Sequence, residues 1–249
     1  MMRTAASRLL LIVVLSNGMS TTGRATILLF DQIRVGGTIV PTISGNSVPQ
    51  DYGDHATGPS VSAPGGSFTY GEAGEGFTPN VMADYFTTAN SPGSSLWEVG
   101  FGDLTNVLFG NQNSLSMNVL LTADAGFDVL LYGFDLGGWP NADYVINAVS
   151  VFDGLTPLFS QGNVLVEGDA VGPGRTSFAF GSALVGNSLL IEIDYSNLLG
   201  GQQDNIGIDN IRFGQDPLPQ AAVPEPSTLW LLLSALFAAK AVFRRPTSA

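Results

Sequence analysis

Two stretches of the chain alternate apolar and polar residues with a period of two. In SLSMNVLLTA (114–123), Leu115, Met117, Val119 and Leu121 share one face. In SLLIEIDYS (188–196), Leu189, Ile191, Ile193 and Tyr195 share one face, and Glu192 and Asp194 take the other. Successive side chains of a strand point to opposite faces, so both stretches predict strands with one buried side. GFDVLLYGFDLGG (126–138) and DYVINAVSVFDG (143–154) are apolar at both parities and predict central strands, covered on both sides. Shorter strands are expected at 29–35, 66–70, 97–101, 157–160, 163–167, 175–180 and 205–213. Gly, Pro, Asn or Asp falls in nearly every gap. No stretch of the body repeats its apolar residues every 3.6 positions. The body therefore reads as all-β, and a jelly-roll β-sandwich is the expected architecture. Residues 36–65, rich in Gly, Pro and Ser, read as one long loop, and 214–223 (GQDPLPQAAV) as a linker.

FDQIRV (30–35) and IDNIRF (208–213) share a pattern of apolar, Asp, amide, Ile, Arg, apolar. In the second, Ile206 and Ile208 have one parity, and Ile211 and Phe213 the other. A straight strand would put those pairs on opposite faces. One extra residue at Asp209–Asn210, a β-bulge, returns them to the same face. The first segment shows the same slip if Phe30, Ile33 and Val35 all point inward. The first and last strands are then expected to be neighbours with matching kinks.

The two ends differ from the body. MMRTAASR, the apolar run LLLIVVL and the small-residue stretch SNGMSTTGRA follow the order of a secretory signal peptide, with the cut expected between Ala25 and Thr26. The apolar run is too short for a lasting membrane span. At the other end stands VPEPSTLWLLLSALFAAKAVFRRP (223–246). Leu229 to Phe243 is apolar except for Ser234 and Lys240. As a helix it would reach about 22 Å at 1.5 Å per residue, short of a hydrocarbon core of about 30 Å. Lys240 can extend toward the head groups, and Arg244 and Arg245 would hold that end on the cytoplasmic side. Pro226 suits the position just before a helix, and Ser227 or Thr228 can cap its first turn. VPEPST, a Leu/Ala-rich run and Arg-Arg, in that order, resemble the PEP-CTERM sorting domain.

That resemblance covers about one tenth of the chain. It implies an exported protein, held in the membrane by its C-terminal helix and cut by an exosortase at the cell surface. Pro224, Glu225 and Pro226 would be the recognition motif. Signal peptidase and exosortase are then the expected processing enzymes, with the membrane and an exopolysaccharide as further partners. The expected organisation is signal peptide 1–25, β-sandwich 26–213, linker 214–223 and sorting signal 224–246.

Charge narrows the partners. The chain carries a formal −12. Between Thr26 and Val223, three arginines stand against twenty acidic side chains, a net −17. Such a body repels phosphate backbones, which argues against nucleic acid. With no cysteine and a single histidine, His55, zinc-site spacings fail, and no nucleophile-elbow motif accompanies the histidine. No enzyme activity is expected. Asp124, Asp128 and Asp135 cannot be ranked as paired carboxylates from sequence, because their separation is a fact of the fold.

Two binding chemistries remain. DNIGIDNI (204–211) resembles the closing strand of MAM-type and carbohydrate-binding jelly rolls, in some of which acidic side chains near the terminal strands hold a structural Ca²⁺. Here those residues would be Asp31, Asp204 and Asp209, which alone fall short of the six to eight oxygens Ca²⁺ takes. Turn-forming, solvated aspartates are the alternative. In GGWPNADY (137–144), Trp139 and Tyr144 flank a polar turn and suit a sugar ring, or they cap the end of the core. The expected function is thus a non-catalytic surface or matrix protein, with carbohydrate binding as the alternative.

Overall fold

The computed structural model describes residues 25–218, apart from 36–37, 42–43, 57–59, 64–65, 70–75, 89–92, 111–113, 170–171 and 173. Of strand residues 32–41 and 60–69 it describes the backbone alone. The expected signal helix, membrane helix and sorting motif lie outside the described residues. Those residues form strands and hold no helix.

The strands are β1 (Thr26–Leu28), β2 (Gln32–Val35), β3 (Thr38–Pro41), β4 (Ser60–Ala63), β5 (Gly66–Thr69), β6 (Val81–Thr87), β7 (Ser95–Trp97) and β8 (Val107–Phe109). They continue as β9 (Ser116–Ala123), β10 (Phe127–Gly138), β11 (Tyr144–Asp153), β12 (Thr156–Val166), β13 (Thr176–Gly186), β14 (Ser188–Asp194) and β15 (Ile206–Pro217). Two antiparallel sheets face each other. One runs β12-β11-β14-β9-β6. The other runs β13-β10-β15-β8-β7, with β1 added beside β15. Hairpins β2–β3 and β4–β5 stand outside both sheets.

Alternation, reset at the register shifts between β10 and β15, explains the core. Met117, Val119, Leu121, Leu189, Ile191 and Ile193 project from one sheet, and Leu131, Phe134, Ile208 and Phe213 from the other, all fully buried. Each such side chain contributes about 1.5–3 kcal/mol, so a core this size holds without disulfides. Leu115 departs from the expectation: it precedes β9 and is exposed.

The bulge in the last strand is present. Gly133 pairs with Arg212 and Asp135 with Asp209, so β15 fits two residues where β10 has one. Asn210 takes the left-handed conformation at φ 53°. Ile206, Ile208, Ile211 and Phe213 all reach the core as a result. The outer edge of β15 changes partner at the same place. Gly207 and Ile208 pair with β8, and Ile211 to Phe213 pair with β1.

First and last strands are therefore neighbours, but not through the look-alike segment. The strand expected at 29–35 splits at Phe30, which stands at φ 51°. That turn directs the Phe30 ring into the core, stacked on Tyr52 at 5.1 Å and edge-on to Tyr85 at 5.8 Å. Residues 26–28 pair with β15, and β2 pairs with β3 instead.

Other boundaries also shift. The strands expected at 157–160 and 163–167 are one strand, β12. β15 continues to Pro217, into the stretch read as linker, because Phe127 to Leu130 of β10 extend its ladder.

The stretch 36–65 is not one loop. It contains β3 and β4, and its segment 44–56 is tied down. Gly45 N donates to Leu96 O and Leu96 N to Asn46 O, both at 2.8 Å, along the edge of β7. Farther on, Tyr85 N donates to Gln50 Oε1 and Ala83 N to Asp54 Oδ1, along the edge of β6. One segment thus covers an edge of each sheet.

Candidate functional site

A cleft of about 640 Å³ opens on the outer face of the six-stranded sheet. Asp31, Asp103, Asp135, Asp209, Arg175 and Arg212 line it. Register explains its centre. Asp135 on β10 and Asp209 on β15 are direct cross-strand partners, so both side chains leave the same face of the sheet. Their apolar neighbours Phe134, Leu136 and Ile208 point inward to the core.

Both carboxylates are only 4% exposed although they line the cleft. Asp135 Oδ2 accepts from Asn210 Nδ2 at 3.0 Å and lies 3.8 Å from Arg175 Nε. Asp135 Oδ1 is buried with no hydrogen-bond partner among the described residues. Asp209 Oδ1 accepts from Asn210 N at 2.7 Å. Burial above all pushes the Asp209 carboxyl well up, with the charges of Asp135 and Asp31 adding to the shift against the backbone hydrogen bond and Arg175. Arg175 also reaches Asp103 at 3.3 Å. Four carboxylates face two guanidiniums, so the fully ionised cleft carries a net negative charge.

Two of the three aspartates singled out in the sequence, Asp31 and Asp209, line this cleft together. Asp204 does not. It lies in the turn before β15, five residues from Asp209, and lines a different depression. Asp135 and Asp103 take its place, and no spacing in the sequence links either of them to Asp209. Among the described residues, no three carboxylates or histidines already stand close enough to hold a metal ion.

The second depression, about 70 Å³, lies at one end of the sandwich between Trp97, Phe101, Phe109, Trp139, Asp204 and Asn205. Trp97 and Trp139 meet edge to face at 6.3 Å. The Trp139 residue is 37% exposed, yet its backbone is fixed. Trp139 N donates to Asn205 O at 2.8 Å, and Trp139 O accepts from the Tyr144 hydroxyl at 2.6 Å. That hydroxyl in turn accepts from Asn205 Nδ2 at 2.7 Å. Tyr144 therefore works as a strut beneath Trp139, with its polar end turned into the loop.

His55 lies in the covering segment 44–56. Its Nδ1 donates to Pro79 O at 2.9 Å and stands 3.8 Å from Asp124 Oδ2. Of the residues at the expected signal cut, Thr26 is fully buried in β1, and its Oγ1 lies 2.8 Å from Thr78 Oγ1. Pro224, Glu225, Pro226, Arg244 and Arg245 lie outside the described residues. Their sequence context decides what they are. A Pro-Glu-Pro triplet, an apolar run and an Arg pair stand in fixed order within 22 residues.

Residues 222–245 match the PEP-CTERM protein-sorting motif. A PEP-CTERM motif implies an exported protein of the cell surface whose C-terminus is processed by an exosortase. The match begins five residues beyond Pro217, where the last strand ends. No curated protein and no solved structure matches the chain.

Proposed function

We propose that this is a non-catalytic surface or extracellular-matrix protein, cut at its PEP-CTERM motif by an exosortase and retained with exopolysaccharide. The match at 222–245 carries this reading. On it, the signal peptide directs export, and the apolar run 229–243 holds the chain in the membrane until the cut. The jelly-roll sandwich is the delivered domain. The test is the intact mass of the protein recovered from its own cell. A species starting at Thr26 and ending near Pro224–Pro226 is expected, and a tail persisting through Ala249 overturns the reading.

The exposed indole of Trp139 favours a second reading, binding of a sugar ring at that end of the sandwich. A pinned aromatic loses little freedom on binding, and Asp204 and Asn205 beside it can take hydroxyl hydrogen bonds. Binding of the cell's own polysaccharides is expected to disappear in Trp139→Ala with the fold kept. Unchanged binding would remove the site.

A structural Ca²⁺ in the larger cleft would be held by Asp31, Asp135 and Asp209 rather than by Asp204, which lines the other depression. The unsatisfied Asp135 oxygen supports this, since a hard cation would engage it. The three carboxylates would have to close in on the ion, with water completing the shell. A rise in Tm with Ca²⁺, lost in Asp209→Asn, is the expected result. No shift on adding Ca²⁺ or removing it with a chelator sinks this assignment.

A further inference from the structure

The two lateral sides of the sandwich are unlike. On one, the segment 44–56 hydrogen-bonds along the edges of both β6 and β7. On the other, β12 and β13 end their sheets, and Phe159 closes the gap between them against Phe178 at 5.9 Å and Phe180 at 5.3 Å. Among the described residues, no other segment hydrogen-bonds along the outer edge of Phe159–Asn163. An open edge offers a row of backbone donors and acceptors to another chain, and proteins commonly blunt such edges with charge. This one has none. Thr156–Val166 contains no Asp, Glu, Lys or Arg in a chain of formal charge −12.

We propose that β12 is a self-association edge, pairing antiparallel with β12 of a second copy and joining the two five-stranded sheets across a two-fold axis. A strand is its own antiparallel complement about such an axis, so one edge serves both copies. Two acidic copies repel each other nearly everywhere else, and here no like charges meet. Leu158, 36% exposed, flanks the paired stretch and gains cover from the second copy.

β12 suits the role better than β13. Phe159 to Val164 keep an unbroken register with β11. Between Ala179 and Leu184, β13 has four residues where β10 has one, which bends its edge out of line. Asn163, at φ 52°, closes the flat part of β12, so pairing is expected over Phe159–Gly162. The covered edge of β6 then sets the size of the assembly. A copy joined through β12 has no second open edge on that sheet, so the product is a closed pair.

The absence of cysteine from the chain makes a direct test possible. A two-fold axis normal to the sheet puts a residue opposite its own copy, so Ser160→Cys or Gln161→Cys brings two thiols together. One of these variants is expected to form a disulfide-linked pair when the mature protein is recovered without reductant. Asp84→Cys, on the covered edge strand β6, is expected to stay single. Light scattering of the unmodified mature protein should give the mass of two chains, and Leu158→Lys the mass of one. The proposal is overturned if neither cysteine links more than Asp84→Cys, or if the unmodified protein has the mass of one chain. A ladder of larger species overturns the closed pair.

Discussion

Thr26 lies directly opposite Phe213 in the ladder between the first and last strands, and its hydroxyl meets that of Thr78 at 2.8 Å. All three residues are fully buried. Thr26→Val keeps the shape but leaves the Thr78 hydroxyl buried without that partner, which should cost about 1–3 kcal/mol. Thr26→Val combined with Thr78→Val removes both polar groups and should recover most of the loss. Urea denaturation of the four proteins closes the cycle. Equal, additive losses would show that the two hydroxyls are not coupled.

The bulge at Asn210 gives a second prediction. Asn210 takes a left-handed conformation and donates its side-chain amide to Asp135. Asn210→Ala loses a hydrogen bond to a carboxylate and strains the backbone, for an expected cost of about 2–4 kcal/mol. Asn210→Gly loses the amide alone and should be milder by about 1 kcal/mol. Deleting Asn210 is a different perturbation. It would turn Ile211 and Phe213 out of the core, so that chain is not expected to fold cooperatively. Denaturant midpoints rank the three.

That bulge was legible because its apolar residues change parity in mid-strand. Strands β9 and β14 were legible from plain alternation. β6 is not legible although Val81, Ala83, Tyr85 and Thr87 alternate inward, since Ala83 and Asp84 dilute the signal. The covering segment 44–56 has the sequence of a loop because polar side chains, Gln50 and Asp54, do for β6 what a neighbouring strand usually does. The cleft was half legible. Asp31 and Asp209 stood out beside the two end strands, but Asp135 enters by cross-strand register, which no local pattern encodes. Tyr144 read as an exposed aromatic, and only the fold shows its hydroxyl turned beneath Trp139.

The raised Asp209 carboxyl predicts a pH dependence. Between the ordinary carboxylate value of 3.8 and its own higher value, Asp209 is protonated in the folded chain and ionised in the unfolded one. The folded state then binds more protons, so this group's contribution to stability is full below 3.8 and is lost as pH rises through that window. Asp209→Asn removes the loss. Without divalent cations, the stability gap between wild type and variant should therefore widen with rising pH and then level off. Urea titrations at a series of pH values measure it, and a gap independent of pH would refute the assignment.

Tyr144 and Trp139 can be separated. Tyr144→Phe keeps the ring but removes the hydroxyl that Trp139 O and Asn205 share. Stability should fall by about 1 kcal/mol, and the near-ultraviolet circular dichroism of the tryptophans should weaken as the loop loosens. Polysaccharide binding should weaken with it although Trp139 is still present. Binding unchanged in Tyr144→Phe but lost in Trp139→Ala would mean that the indole alone matters and its preorganisation does not.

The two ends of the domain make opposite demands on processing. Thr26 is buried in the ladder, so on the proposed reading a cut at Ala25–Thr26 would come before β1 docks. The Pro-Glu-Pro triplet starts seven residues beyond Pro217, where the last strand ends, and on the proposed reading its recognition needs no opening of the sandwich. Replacing Pro224, Glu225 and Pro226 together by alanine should leave the urea midpoint of the domain unchanged and the mature start at Thr26 unchanged. The C-terminal end should move from near the triplet to Ala249, and the protein should shift from the surface to the membrane fraction. Intact mass and fractionation read both ends at once. Normal trimming of the triple variant would show that the triplet is not what the exosortase recognises, and a changed start would show that the two cuts are coupled.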